Sequence, residues 1–181
     1  MIFTDTRVRG AVVIEPEPIA DERGFLARCF CAREFEARGL NPRLVQCSIS
    51  LTKMKGTLRG LHFQRPPHAE VRLVRCTAGA LYDVIVDLRP ESPTFRRYFG
   101  IELSARNHKM LYVPEGFAHG LQTLEDDTEV VYQMSEFFAP DAVAGVRWND
   151  PVFAIRWPLE VTVICERDRT YPDFRDDVLL R

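Results

Sequence analysis

Short runs of alternating or β-branched residues, each ended by turn residues, fill most of this chain and constrain its fold more than any other feature. In the clearest run, GALYDVIVDLRPESP, every second residue from Tyr82 to Leu88 is apolar, while Asp83 and Asp87 fall on the opposite face. About nine strands are predicted in all, from this run and from RLVQCSISL, TLRGLHFQ, EVRLVRCT, RRYFGIELS, KMLYVP, HGLQTL, TEVVYQMS and EVTVIC. The pattern predicts an all-β sandwich or barrel.

One helix is predicted from Ala32 to Arg38, where CAREFEARG turns Phe35 inward and Gly39 can cap the carboxyl end. The length of 181 residues and the hydrophobic content of 46% fit one globular domain. We therefore predict a single domain over residues 1–181, with a barrel core at about 43–164. Neither GxGxxG nor GxxxxGKS or GxxxxGKT occurs in the sequence, so no dinucleotide cofactor is expected.

The charge balance argues against general binding to nucleic acid, because 24 Lys and Arg oppose 26 Asp and Glu. Charges together with Pro16 and Pro18 break the opening segment before any run could span a membrane or act as a signal. The five cysteines contain no CxxC pair, so neither a zinc ribbon nor a disulfide framework is indicated. We predict a cytoplasmic protein with reduced cysteines and with no nucleic-acid or membrane partner.

The segment KGTLRGLHFQ concentrates polar residues in a strand that otherwise suits a core. Arg59 and His62 have opposite parity along an ideal strand, so both can face one cavity only if Gly60 marks a bulge or twist. The alternative is that His62 is a hydrogen-bonded core histidine and Arg59 a surface residue. The segment alone leaves both interpretations open.

Two other residues have the same ambiguity. In VPEGFAHGLQ, small neighbours leave open space beside His119, which could face a ligand or could bond a loop carbonyl as a structural histidine. In EVVYQMS, Tyr132 could be a buried ring with a bonded hydroxyl or a proton donor. Metal-binding barrels commonly use a His-x-His pair, which this sequence lacks, so no metal site is expected.

Six segments together, in this order and spacing, resemble the dTDP-4-dehydrorhamnose 3,5-epimerase family: DERGFLARCF, KGTLRGLHFQ, LYDVIVDLRPESPTF, YVPEGFAHGLQTL, EVVYQMSEFFAP and GVRWNDP. The resemblance runs from about Asp21 to Asp168. It implies an all-β cupin or jelly-roll antiparallel β-barrel with a few short peripheral helices. It also implies a homodimer that shares strands between subunits, with no metal and no dissociable cofactor.

The resemblance also implies catalytic roles. His62 corresponds to the family's base, Asp168 to the aspartate that orients it, and Tyr132 to the proton donor. These residue types suit the chemistry, because a C–H bond next to a ketone ionises when a base reaches it and the enolate oxygen is stabilised. Reprotonation from the other face then inverts the carbon.

Further residues correspond to the family's contacts with a nucleotide-diphosphate sugar. Arg23 and Arg59 match cations placed around the diphosphate, and His119 matches another substrate contact. Phe25 belongs to an aromatic segment that in relatives reaches into the neighbouring subunit's site. Gln46 falls near the family's QxN segment, although the spacing to Gly56 differs by one residue.

Three positions depart from the family pattern. Arg72 stands where the family usually has a lysine that stabilises the enolate, and this change keeps the charge but alters its shape. Arg28 replaces a glutamate used against the nucleotide base, which reverses the hydrogen-bonding character of that position. Val143 replaces a substrate-contacting glutamate. These departures leave open which nucleotide the substrate carries.

We therefore predict an epimerase that inverts C3, C5 or both in a dTDP-4-keto-6-deoxy hexose, with His62, Tyr132, Asp168 and Arg72 as its catalytic set. A single-carbon epimerase on the same scaffold, or one that uses a CDP- or GDP-linked sugar, is the alternative. A metal-dependent cupin and a non-catalytic sugar-binding barrel are hypotheses from other classes.

Overall fold

The computed structural model describes residues 1–175, and most of its regular structure is β-strand. In chain order the strands are β1 (Ile2–Asp5), β2 (Val12–Glu15), β3 (Ile19–Asp21), β4 (Gly24–Leu26), β5 (Gln46–Thr52), β6 (Leu58–Gln64), β7 (Arg72–Ala78), β8 (Ala80–Asp87), β9 (Tyr98–Ser104), β10 (Met110–Val113), β11 (Phe117–Thr123), β12 (Thr128–Met134) and β13 (Val143–Gly145). Two short helices accompany them, α1 (Ala32–Ala37) and α2 (Glu166–Arg169), with a 3₁₀ turn at Pro140–Ala142.

Two antiparallel sheets make up the body of the molecule. The larger sheet has the order β1-β2-β10-β7-β12-β5 and the smaller has the order β13-β6-β11-β8-β9, while β3 and β4 form a separate hairpin. Neighbouring strands such as β2 and β10 come from distant parts of the chain, which is the connectivity of a jelly roll rather than of a simple meander. The prediction of an all-β jelly-roll barrel with short peripheral helices is confirmed.

Apolar side chains fill the space between the sheets. Val74 and Leu111 of the larger sheet belong to the same buried cluster as Ile85 and Leu121 of the smaller sheet. Burial of such side chains is the main force that holds two sheets face to face, at roughly 1.5–3 kcal/mol for each fully buried residue. The inner cluster leaves a cavity among its polar neighbours, where the candidate site lies.

Part of each outer face is covered as well. Helix α1 places Phe35 against the larger sheet, among Ile14, Leu73 and Tyr112. The helix ends as predicted, because Gly39 adopts a left-handed φ of 68° and its N–H bonds the Glu36 carbonyl. The segment that follows β13 covers the smaller sheet with buried and half-buried side chains, namely Val146, Phe153, Ile155, Trp157 and Phe174.

Strand β8 is consequently buried on both faces. Val84 and Val86 pack under the covering segment, as the predicted apolar face requires. The opposite face carries Leu81 and Ile85 of the inner cluster, and Asp83 between them is fully buried. A carboxylate in this position needs a partner, which makes Asp83 a functional candidate that the sequence analysis missed.

Two parts of the strand prediction are wrong. The EVTVIC run forms no strand: it runs beside the start of β6 with Leu58 bonded to Val163 and Thr162 bonded to Gly56, and then turns into α2. The short strands β1 to β4 and β13 were missed, because runs of three or four residues carry too few alternations to stand out from turns. Within the described residues, no helix is long and apolar enough to cross a membrane.

Candidate active site

A cavity of about 480 Å³ opens between the two sheets, a size usual for a small-molecule site. Strands β5, β6, β7, β11 and β12 contribute to its wall, together with the segment around α2. Six residues singled out from the sequence meet there: Arg59, His62, Arg72, His119, Tyr132 and Asp168. Arg59 and His62 share β6, but the other four lie on four different elements, and the fold brings them together.

Gly60 allows two residues of opposite parity to face this cavity, as the sequence analysis required. The pairing of β6 with β11 shifts register between His62 and Arg59, so a bulge separates the two side chains. Gly60 has a φ of 118°, and a Cβ built there would stand 2.6 Å from the Cα of Gly120. The left-handed backbone and the close approach both require glycine.

His62 and Asp168 form a hydrogen-bonded pair. The Nε2 atom of His62 lies 2.7 Å from Oδ1 of Asp168, and the Gly60 N–H donates to Oδ2 of the same carboxylate at 2.8 Å. Burial alone would raise the pKa of Asp168, but the hydrogen bonds from His62 and Gly60 outweigh it and lower the pKa well below the ordinary value.

The ionised carboxylate fixes the tautomer of His62. A carboxylate only accepts hydrogen bonds, so the 2.7 Å contact with Asp168 places the proton on Nε2 of His62, and the Arg167 guanidinium, 3.2 Å from the same nitrogen, is then a neighbouring charge and not a hydrogen-bond donor to it. Nδ1 is therefore the nitrogen that can accept a proton. No residue within 1–175 hydrogen-bonds to that Nδ1 atom. The ring is therefore oriented through one nitrogen and is able to accept a proton at the other.

Arg167 is a cavity residue that sequence reasoning missed. Its Nε lies 3.2 Å from Oδ1 of Asp168, and its Nη2 lies 3.2 Å from Nε2 of His62. The only signal in the sequence was its position next to Asp168. With Arg59, which is held at its Nε by the Thr52 hydroxyl, it gives the cavity two cations that could bind an anionic substrate.

His119 belongs to a second histidine–aspartate pair. Its Nε2 lies 2.8 Å from Oδ1 of Asp83, and both side chains are buried. Its Nδ1 lies 3.4 Å from Nη1 of Arg72. A guanidinium only donates, so Nδ1 of His119 is placed to accept from Arg72 and Nε2 to donate to Asp83. Asp83 could have been suspected from the sequence as a lone carboxylate in an apolar strand.

Arg72 is held from the side by Glu70. The Nε and Nη2 atoms of Arg72 lie 2.9 and 2.5 Å from Oε1 of Glu70. Its Nη1 points away from that contact, 3.4 Å from the carbonyl oxygen of His62 and 3.4 Å from His119. The positive charge predicted at this position is therefore present in the cavity.

Tyr132 stands on the larger sheet, across the cavity from His62 on the smaller sheet. Its ring packs edge-on against His119, with centroids 6.0 Å apart. Burial, followed by the nearby charge of Asp83, raises the pKa of the phenol well above its ordinary value. The hydroxyl therefore keeps its proton at neutral pH and can donate it.

The other four predicted residues do not line this cavity in the single chain. Arg23 pairs with Asp21 in the turn of the β3–β4 hairpin. Phe25 is exposed on the same hairpin and packs on His108, with ring centroids 5.0 Å apart. Arg28 is bound to Glu34 of α1 at 3.0 Å.

Gln46 is the fourth of these residues. It shares a face of β5 with Ser50, which does line the cavity, but four residues of strand put it about 13 Å further along. Its side-chain oxygen accepts the N–H of Phe138 at 2.9 Å. Val143, on β13, pairs with Gln64 of β6 and is not part of the cavity wall.

In the part of the chain that the structure describes, no three His, Cys, Asp or Glu side chains come together in a way that could hold a metal ion. Each histidine of the cavity is instead engaged by one aspartate. The arrangement offers an oriented base, a protonated phenol on the opposite wall and a cation beside them. Such a set can move protons on and off carbon.

Comparisons with known proteins agree with this chemistry. A sequence model described as dTDP-4-dehydrorhamnose 3,5-epimerase matches residues 5–176. The dTDP-4-dehydrorhamnose 3,5-epimerase of Methanothermobacter thermautotrophicus is 40% identical over 178 residues, which cover 97% of this chain and 95% of that protein.

Solved structures are similar over nearly the whole chain. The dTDP-4-dehydrorhamnose 3,5-epimerase of Bacillus anthracis, crystallised with TDP and PPi, aligns with a TM-score of 0.92 at 41% identity, covering 96% of this chain and 99% of that one. A 3'-monoepimerase of Streptomyces bikiniensis in complex with dTDP-quinovose aligns with a TM-score of 0.85 at 30% identity, covering 93% and 85%.

Proposed function

The chain belongs to the dTDP-4-dehydrorhamnose 3,5-epimerase family, and we propose that it inverts C3 and C5 of a dTDP-linked 4-keto-6-deoxy hexose without a metal or dissociable cofactor. One observation carries the proposal: the His62–Asp168 pair and the protonated Tyr132 lie on opposite walls of one cavity. Inversion of a carbon needs a base on one face and an acid on the other.

The base in this mechanism is His62. Its Nδ1 removes the proton from a carbon next to the C4 ketone, and the Asp168 carboxylate stabilises the imidazolium that forms. The lowered pKa of Asp168 keeps it ionised throughout. General base catalysis of this kind contributes about 10²- to 10⁴-fold to the rate.

Arg72 serves the enolate. Its Nη1 is the part of the guanidinium that Glu70 leaves unbound, and it donates to the C4 oxygen as negative charge develops there. C3 and C5 both flank C4, so the same oxygen carries the charge whichever carbon loses its proton. A single fixed donor therefore serves both deprotonations.

Tyr132 completes the inversion by donating its proton from the opposite wall. The raised pKa of the phenol keeps it protonated until the enolate, a much stronger base than water, is present. Arg59 and Arg167 bind the diphosphate, because two guanidinium groups in one cavity supply a local positive field in a protein whose net charge is −2.

The β3–β4 hairpin belongs, in this proposal, to the active site of a second copy. Arg23, Phe25 and Arg28 are exposed on or beside it, and Ile19 and Leu26 are 77% and 76% exposed. Exposed apolar residues of this density are typical of an interface. A two-fold homodimer would let each hairpin cover the partner's cavity and bring these three residues to the nucleotide.

Inversion at a single carbon is the second candidate. The similarity to a 3'-monoepimerase and the replacement of lysine by Arg72 favour it. In that case the cavity would hold the sugar so that His62 reaches only one of the two carbons beside the ketone. The choice of dTDP over a CDP- or GDP-linked sugar rests on the nucleotide carried by the similar proteins.

Single-domain organisation over residues 1–181 and a cytoplasmic location stay predictions. The five cysteines, all unpaired and all within the described residues, suit a reducing compartment. Nucleic acid and membrane are not proposed as partners; the ligand is the nucleotide-diphosphate sugar.

The decisive experiment is incubation of the purified protein with dTDP-, CDP- and GDP-linked 4-keto-6-deoxy sugars in deuterated water, followed by NMR. Deuterium is expected at both C3 and C5 of the dTDP-linked sugar, together with inverted product. Exchange at one carbon would favour the monoepimerase. Binding without any exchange would reject the enzymatic function and support a sugar-binding barrel.

A further inference from the structure

Glu70 lies two residues before Arg72, outside the set of residues that touch the cavity of His62. We propose that Glu70 is a positioning residue that fixes the guanidinium of Arg72 in the orientation needed to serve the enolate. The inference rests on the proposed function, because it takes Arg72 as the donor to the enolate oxygen. If the proposal holds, the kcat of this enzyme depends on Glu70 although Glu70 does not touch the substrate.

The first support is the geometry of the pair. Both Nε and Nη2 of Arg72 are bound to a single oxygen of Glu70, at 2.9 and 2.5 Å. A guanidinium is planar, so fixing two of its nitrogen atoms also fixes the third. The third, Nη1, is directed toward the carbonyl of His62 and toward His119, at 3.4 Å from each acceptor.

The second support is burial. The side chain of Arg72 is 16% exposed and that of Glu70 is 8% exposed, so water screens the pair far less than it screens a surface ion pair. If Glu70 were removed, the buried guanidinium of Arg72 would be an unpaired charge, and pairing with a different carboxylate would be favourable. Two carboxylates of the site already hold histidines, Asp83 behind His119 and Asp168 behind His62, and a shift of the guanidinium toward either would disturb a histidine of the cavity.

The third support is the backbone that carries the pair. Val71 is anchored on both sides by Ser135: its N–H donates to the Ser135 hydroxyl at 2.8 Å, and its carbonyl accepts the Ser135 N–H at 3.0 Å. In extended chain, residues i and i+2 point to the same side. Glu70 and Arg72 therefore meet because the segment is held straight at the residue between them.

This arrangement also explains how an arginine can work where the family usually has a lysine. A lysine ammonium is a point charge that can be directed by small movements of its stem, whereas arginine must present one edge of a rigid fork. Glu70 occupies the opposite edge. The charge of Arg72 is thereby kept in the cavity, and one pair of N–H donors is aimed inward.

The test compares Glu70→Met and Glu70→Asp with the wild-type protein, in steady-state epimerisation of the dTDP-linked sugar. Methionine removes the acceptor at similar volume, whereas aspartate keeps the charge but withdraws it by about 1.5 Å. For Glu70→Met we expect kcat to fall roughly 10- to 100-fold, with KM changed less than about threefold. For Glu70→Asp, which keeps the buried pair neutral overall, we expect kcat to fall about 10-fold.

Two further variants make the result specific. Glu125→Met removes the carboxylate of an exposed pair with Arg106 and is expected to leave kcat and KM unchanged. In an Arg72→Met background, Glu70→Met is expected to change kcat by less than about twofold, because Glu70 then has no guanidinium to position.

Each outcome has a clear meaning. A loss of kcat that depends on Arg72 supports the inference, whereas an unchanged kcat in Glu70→Asp, or equal losses with and without Arg72, would overturn it. If Glu70→Met does not fold, the proposal is still tested by Glu70→Asp and by the variant that carries both Glu70→Met and Arg72→Met, which removes both buried charges. If the wild-type protein itself exchanges no deuterium into any sugar, the proposed function fails and not the pairing of Glu70 with Arg72.

Discussion

Two histidines face the same cavity, and their partners give them different properties. His62 is bonded through one nitrogen to Asp168 and has its other nitrogen unbound within the described residues. His119 is bonded through one nitrogen to Asp83 and faces Arg72 with the other. Only His62 therefore has a nitrogen available to take a proton from substrate, and His119 is suited to hold and orient.

Replacing His62 by alanine is expected to abolish detectable deuterium exchange at both substrate carbons, because loss of a general base lowers the rate by about 10²- to 10⁴-fold. One base serves both deprotonations, so neither carbon should retain exchange. The matched control is His68→Ala, at an exposed histidine outside the cavity. NMR in deuterated water measures both variants, and near-wild-type exchange in His62→Ala would remove this residue from the role of base.

Replacing Tyr132 by phenylalanine is expected to separate exchange from inversion. Proton abstraction by His62 persists, but the donor on the opposite wall is lost, so inverted product should fall roughly 10²-fold while deuterium still enters the substrate. Product analysis and exchange are followed in the same NMR samples. Equal losses of both would show that Tyr132 positions the sugar instead.

The Asp168 carboxyl group predicts a pH dependence of stability. Its pKa in the folded protein lies below the ordinary 3.8. Such a group stabilises the fold above the unfolded pKa, and the contribution is lost as the pH falls through the folded pKa. Each unit of pKa difference corresponds to about 1.4 kcal/mol.

The variant Asp168→Asn should therefore be less stable than wild type at neutral pH, and the difference in the free energy of unfolding should shrink below about pH 4. Urea unfolding between pH 3 and 7 measures it. A difference that stays constant over this range would mean that the carboxylate's charge contributes nothing and that only its hydrogen-bond geometry matters.

At the scale of the element, strand β6 and its bulge decide which side chains reach the cavity. The Gly60 N–H is bonded to Asp168, so the bulge holds the α2 carboxylate as well as turning Arg59 and His62 to one side. A regular strand would have left one of the two residues on the outer face. The catalytic geometry thus depends on a backbone irregularity rather than on side-chain choice alone.

Gly60→Ala is expected to destabilise the protein by about 1–3 kcal/mol more than Gly24→Ala. Both glycines have similar positive φ values, 118° and 127°, but a Cβ at Gly24 meets nothing within 4 Å. The comparison isolates the steric clash with Gly120 from the backbone strain that both variants share. Thermal unfolding measures it, and equal destabilisation would indicate that the close approach is easily relieved.

At the scale of the whole molecule, the single chain brings together the residues proposed as base, acid and enolate donor, while three residues predicted to bind the substrate lie away from them on or beside the β3–β4 hairpin. Strand β5, at the edge of the larger sheet, also has exposed apolar residues, Ile49 and Leu51, as that hairpin does. A homodimer would cover such surfaces and add nucleotide contacts to each cavity.

Light scattering is expected to report a dimer, and Leu26→Asp is expected to weaken it and to raise KM, because the partner's hairpin would no longer cover the cavity. Val152→Asp, at an exposed apolar residue on the covering segment, serves as the control and should change neither property. An active monomer at working concentration would contradict the proposed sharing of the site.

The sequence by itself determined the strand-rich class of fold, the helix ended by Gly39, and the requirement that Gly60 break the alternation of β6. These features are local: period-two burial, a left-handed cap and a parity conflict can each be derived from a few neighbouring residues. The resemblance of ordered motifs also predicted His62, Asp168 and Tyr132 as catalytic residues, and these three side chains do line one cavity.

Only the tertiary structure decided which carboxylate each histidine would meet and which residues would share the cavity. Asp83, Glu70 and Arg167 are ordinary charges in the sequence, and their roles come from contacts across β-strands, along an extended segment and from α2. The displacement of Gln46 from the cavity was likewise invisible. Partner choice depends on three-dimensional proximity in a low-dielectric interior, and no one-dimensional pattern encodes it.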